Sequence, residues 1–168
     1  MAVAASDIKF YLSGGASNAV PAASLGGAIS STEINMVSTL NNLFDDVNDT
    51  EAAAGDTEYR CFYIKNTNAT DALADAAIYI SSNSPSADTA ITIGLDPAGV
   101  SGEATTIANE GAAPAGVSFS AAANSGAALA IGALAAGAYQ AVWIKRVVDA
   151  DAAAVASDPT TLRVTGTP

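Results

Sequence analysis

The sequence predicts an all-β protein, an Ig-like, Greek-key antiparallel β-sandwich with an extended N-terminal arm. Three observations lead there. Short runs of alternating apolar and polar residues recur along the chain, separated by Gly, Pro, Asn and Asp. No stretch keeps a helical apolar period long enough to build a bundle. A corner also lies within Leu129 to Val147, LAIGALAAGAYQAVWIKRV. There Gly137 permits a bend that other residues resist, and Tyr139 follows two residues on. In a tyrosine corner the Tyr139 hydroxyl would return to an upstream main-chain group, Leu134 would cap the core under the bend, and Trp143 would supply the largest buried ring.

The elements follow in chain order. Residues 7–12, DIKFYL, alternate with Ile8, Phe10 and Leu12 on one face. Residues 16–27 are small and polar and predict an extended arm, and residues 28–33 a short strand. Over 34–47, Ile34, Val37, Leu40, Leu43, Phe44 and Val47 recur at helical spacing and predict a short helix. Residues 48–56, NDTEAAAGD, predict an acidic loop.

Thr57 to Asn66 carries apolar side chains on both faces, Phe62 and Ile64 on one, Tyr59, Cys61 and Tyr63 on the other. Such a strand is central or covered on its second side. Further strands are expected at 74–81, 89–95, 129–132, 138–147 and 160–165, with weaker ones at 105–109 and 114–120. Residues 1–56 are expected to form the arm and acidic loop, and 57–168 the sandwich core, the two folding as one unit.

The 168 residues suffice for one sandwich of ordinary size. Forty are alanine, set among Gly, Ser, Thr, Asp and Pro, which predicts small-residue loops and close-packed sheet surface. The net charge of −11 opposes nucleic acid and anionic lipid as partners. All six cations, Lys9, Arg60, Lys65, Lys145, Arg146 and Arg163, fall in predicted strands. They would guard sheet edges or form a positive face for an acidic partner. The N-terminal residues lack the basic and apolar regions of a signal peptide, and no segment is long enough to span a membrane, so synthesis in a cytoplasm without export is expected.

Chemistry finds little to use. Histidine is absent, which removes Ser-His-Asp and Cys-His arrangements. The single cysteine, Cys61, lies mid-strand and is expected to be a buried thiol. The cluster Asp45, Asp46, Asn48, Asp49, Glu51 and Asp56 is rich in oxygen but lacks the EF-hand spacing. No catalytic, cofactor-binding or metal-binding residue is therefore assigned. Tyr11, Tyr63 and Tyr79 are candidates for stacking a sugar, although core or interface packing explains them more simply.

If Tyr139 turns inward, alternation takes Ala141 and Trp143 with it and leaves Gln140, Val142, Ile144 and Arg146 outward. That outward face is too apolar for bare solvent. It predicts contact with a partner subunit, or with an overlying part of the same chain, through Val142, Ile144 and Arg146. Tyr59 and Tyr63 on the two-faced strand are expected to join such contacts.

Four stretches carry a resemblance: LSGGASNAVPAASLGGAISSTE (12–33), NNLFDDVNDTEAAAGDTEYRCFYIKN (41–66), IGLDPAGVSGEATTIANEGAAPAGVSF (93–119) and AYQAVWIKRVV (138–148). Together they cover more than half of the chain. They resemble structural proteins of tailed-bacteriophage virions, and within that class capsid decoration (cement) proteins. The resemblance implies a virion component on the capsid surface, made in the host cytoplasm and not an enzyme. Its partners would be the major capsid protein and further copies of itself, as a trimer. A tail, neck or head-fibre component and a carbohydrate-binding, adhesin-like module remain the alternatives.

Overall fold

The computed structural model describes residues 2–35 and 40–168. Among the described residues there are seven strands: β1 (Ile8–Leu12), β2 (Asp56–Asn66), β3 (Leu73–Ser82), β4 (Thr89–Leu95), β5 (Leu129–Leu134), β6 (Tyr139–Val148) and β7 (Thr161–Thr167). One short helix, α1 (Asp49–Ala54), precedes β2. The strands form two antiparallel sheets, one ordered β1-β2-β6-β4 and the other β5-β3-β7. The chain is thus an all-β sandwich. Consecutive strands β2 and β3 pair with β6 and β5 respectively, so the β2–β3 and β5–β6 connections each cross from one sheet to the other. In immunoglobulin constant order β5 would flank β2 and β6 would flank β3; here those two strands have exchanged sheets.

Alternation decides which side chains fill the space between the sheets. Leu12, Phe62, Ile64, Ile93, Val142 and Ile144 come from the four-stranded sheet, and Ile78, Ile80 and Leu134 from the three-stranded one. Val142 and Ile144 are buried in this core, so they face neither solvent nor another subunit. The expected outward face of β6 is its inter-sheet face.

The opposite face of β2 and β6 is equally apolar, and the chain covers it with irregular segments. Tyr59, Cys61, Tyr63, Ala141 and Trp143 form a second core with Ala104 and Ile107, roofed by Leu25, Ile29, Val117 and Phe119. The roof is stitched to itself and to the sheet. Gly27 N–H donates to Ala104 O, Ile107 N–H to Leu25 O, Cys61 N–H to Ser24 O and Tyr59 N–H to Glu110 O. Gly26 lies at φ +88, and a Cβ there would sit 1.8 Å from Thr105 O. Only glycine lets the two roof segments approach so closely.

This roof corrects the expectation of an extended arm. Within residues 13–31, Leu25 and Ile29 pack against the second core, Ser13, Ser24 and Ser30 are buried, and β1 pairs with β2 from Ile8↔Asn66 to Leu12↔Phe62. The proposed boundary at residue 56 separates no independent layers.

Other elements differ locally. The helix expected over 34–47 is not seen at 40–47, which forms turns and bends, while 36–39 lie outside the described residues. The helix lies instead in the expected acidic loop. Asn48 caps it by accepting from Thr50 and Glu51 N–H, and the Glu51 carboxylate accepts from Asn48 N–H. The stretches 105–109 and 114–120 form no strands; they supply Ile107, Val117 and Phe119 to the roof. Residues 28–33 form no strand; they meet β1 through an isolated bridge, Tyr11↔Glu33, and through hydrogen bonds from Leu12 N–H to Thr32 O and from Ser30 N–H to Leu12 O.

Candidate functional site

The expected tyrosine corner is built by a different residue. Gly137 does take the left-handed conformation, at φ +77, and Leu134 is fully buried beneath the bend. Asn66 pins the turn. Its Nδ2 donates to Leu134 O and to Asp71 O, each at 2.9 Å, and its carbonyl accepts from Gly137 N–H. Tyr139 packs edge-on against Tyr63, with ring centroids 5.4 Å apart. The tyrosine hydroxyl that reaches the main chain is that of Tyr63. It donates to Gly27 O at 2.6 Å and accepts from Ala104 N–H at 2.8 Å. Burial holds its phenol well above the ordinary tyrosine value.

Asp96, which follows β4, locks the roof onto Trp143. Its buried carboxylate accepts from Trp143 Nε1, Thr105 N–H and Ala98 N–H, each at 2.9 Å. Aspartate suits this position because one carboxylate offers enough lone pairs for three donors. All of these polar atoms are committed to holding layers together.

A third polar group lies where the inter-sheet face of β2 and β6 runs past the apolar core. Register places Glu58 opposite Arg146 and Arg60 opposite Ile144. Arg60 is fully buried and pairs with Glu110, with Asp45 and Glu58 at 3.5 and 3.7 Å. Arg146 donates through Nε to Glu58 at 2.6 Å and through Nη1 to Asp45 O at 2.8 Å. Phe44 lies under both guanidinium groups, 4.7 Å from that of Arg146 and 5.7 Å from that of Arg60. Burial pushes the Glu58 carboxyl above its ordinary value, with Arg146 and Arg60 pulling the other way.

The Asp45, Glu58 and Glu110 oxygens lie within 4.8 Å of one another. Two arginines already bring to them the positive charge that a divalent ion would supply. The group is an ion-pair network that ties the 40–47 segment and the roof to the sheet.

The residues expected to touch partners are therefore largely internal. Tyr59 and Tyr63 belong to the second core, Val142 and Ile144 to the first, and Arg146 to the ion-pair network. Of the two origins open for the cover over β6, the structure supplies the one within the same chain. Tyr63 and Tyr79 are also buried, which leaves neither ring a free face for a sugar. All six cations do lie on strands, and four of them are engaged within the chain. Arg60 and Arg146 turn inward, Lys9 pairs with Glu33 at 2.9 Å, and Lys65 stands over the Tyr11 ring.

What the sequence left unread is a cleft of about 1140 Å³ at the α1 end of the sandwich. Its floor includes Phe10, Ile34, Phe62, Ile91, Ile144 and Leu162. Its walls are the 40–54 segment and the β6–β7 connection. Hydrogen bonds join the connections at this end: Ala152 N–H to Ala52 O, Asp149 N–H to Asp88 O, and Ala153 N–H to the Asp88 carboxylate. The signal available in the sequence was the pair of acidic, alanine-rich stretches at 45–56 and 149–158, which flank the paired ends of β2 and β6.

Comparison with family models, curated proteins and solved structures returned no match for this chain.

Proposed function

We propose that the chain is a non-enzymatic structural component of a tailed-phage virion, a decoration or cement protein that binds the outside of the head and stabilises contacts between capsomers. Its partners in this reading are the major capsid protein and, as a trimer, further copies of itself. The resemblance of the four stretches given above motivates the class.

The observation that carries the reading is the use made of the reactive groups. Asp96, Glu58, Arg60, Tyr63 and Cys61, the most buried candidates for chemistry, are taken up by structural bonds or core packing. The double-cored body carries three of the five large apolar side chains exposed among the described residues, and much of its acidic charge, at one end, as a binding protein would. The acidic surface favours solubility at the high local concentration of a lattice.

The test is binding of the purified protein to heads assembled without it. Saturating attachment with raised resistance of the heads to heat is expected; absence of attachment to expanded shells would overturn the reading. Copy number separates the tail, neck or fibre alternative, which calls for a handful or a dozen per particle rather than hundreds.

A further inference from the structure

The cleft at the α1 end combines two properties that come from different residues. Five large apolar side chains are exposed among the described residues, and three of them, Leu40, Val47 and Val155, line this cleft. Clustered exposed apolar surface marks a contact site more than scattered single residues do. The same lining carries Asp45, Asp46, Asp49, Asp151 and Asp158, against the single cation Arg146, whose guanidinium is engaged by Glu58. Neither connection that walls the cleft, 45–56 or 149–158, contains a Lys or Arg.

Volume and charge narrow the occupant. At about 1140 Å³ the cleft exceeds the usual small-molecule range of about 300–1000 Å³. An acidic rim around an apolar floor repels a second copy of this −11 chain and attracts a cation with apolar anchors. We propose that this cleft docks an extended segment of a partner protein in which basic residues alternate with apolar ones. The apolar side chains enter between the 40–54 wall and the β6–β7 connection, and the basic ones meet Asp46, Asp49 and Asp151. Under the decoration reading that segment belongs to the capsid protein; the recognition chemistry itself does not depend on that identity.

The test uses the full chain and a fluorescent short peptide alternating lysine with leucine. Saturable binding is expected, weakening as salt rises from about 0.05 M to about 0.5 M, since screening shortens the reach of the rim charges. Replacing lysine by glutamate, or leucine by serine, should abolish or strongly weaken it. The triple variant Asp46→Asn, Asp49→Asn, Asp151→Asn should lose about tenfold in affinity. A control triple variant away from the cleft, Asp71→Asn, Asp75→Asn, Glu103→Gln, removes the same charge and should bind as the parent does. Leu40→Ser with Val155→Ser, both already exposed, should weaken binding without disturbing the fold.

Equal losses in the two charge variants would reduce the effect to net charge and overturn the site, as would no binding at low salt. Heads separate this proposal from the functional one. Peptide binding without attachment to heads removes the decoration reading and keeps the cleft. Attachment to heads that is indifferent to the cleft variants keeps the decoration reading and overturns the capsid protein as the occupant of the cleft.

Discussion

Replacing Asp96 by Ala tests how the second core is held. The carboxylate is 2% exposed and collects three donors, two of them, Trp143 Nε1 and Thr105 N–H, on Oδ2. Hydrogen bonds to a charged group contribute about 1.5–3 kcal/mol each, and stranded buried donors cost a similar amount. Ala98 is exposed, so its N–H recovers water. Two donors remain without a partner, and a loss of about 3–5 kcal/mol is expected, a large share of a total of about 5–15 kcal/mol.

Urea unfolding followed by circular dichroism and by the emission of the one tryptophan, Trp143, would read it. With a urea dependence of about 2 kcal/mol per molar, the midpoint should fall by roughly 2 M. A double-mutant cycle with Trp143→Phe should return a coupling of about 1.5–3 kcal/mol. A loss below about 1 kcal/mol, or no coupling, would refute the lock between Asp96 and Trp143.

Three further outcomes follow from the same layers. Cys61 is fully buried and burial pushes its thiol far above the ordinary value, so it should resist alkylation until the chain unfolds; rapid labelling of native protein would contradict that placement. Gly26→Ala should cost at least about 2 kcal/mol, because both the positive φ and the Thr105 carbonyl oppose a side chain, and thermal melting would show whether the site tolerates it. Burial raises Glu58 above its ordinary value near 4.5, so just above that pH the native state holds more protons than the unfolded one. Stability from this group is therefore full below the unfolded value and falls as pH rises through the folded one, and denaturation across pH 4–6 (about two units) should show a flatter profile for Glu58→Gln.

The strands were legible because alternation and turn residues announce them. Thr89–Leu95 and the two-faced β2 could be placed to within a residue from sequence alone. The roof was not legible. Residues 13–31 and 96–119 supply roof side chains from irregular backbone with one short 3-10 turn at Pro21–Ala23 and no strand, so no period betrays Leu25, Ile29, Ile107 or Phe119 as core. That omission explains the reading of β6. With one core in view, Trp143 and Val142 could not both be inside, and Val142 was sent outward. With two cores, alternation puts each in its own.

The corner shows a related limit. Gly137 and Leu134 were readable locally, but the residue that ties them down, Asn66, lies 68 positions from Leu134. The cleft needed the fold as well. Its two acidic walls are distant in sequence and meet only because β2 and β6 pair from Asp56↔Val148 onward.

The most direct test of the functional account is the occupancy of the protein on heads assembled without it, measured by particle reconstruction after incubation with the purified chain. The account predicts density repeated over the outer shell at hundreds of equivalent positions, with the α1 end turned toward the capsid. Bare shells, or density confined to the tail or a single vertex, would contradict it.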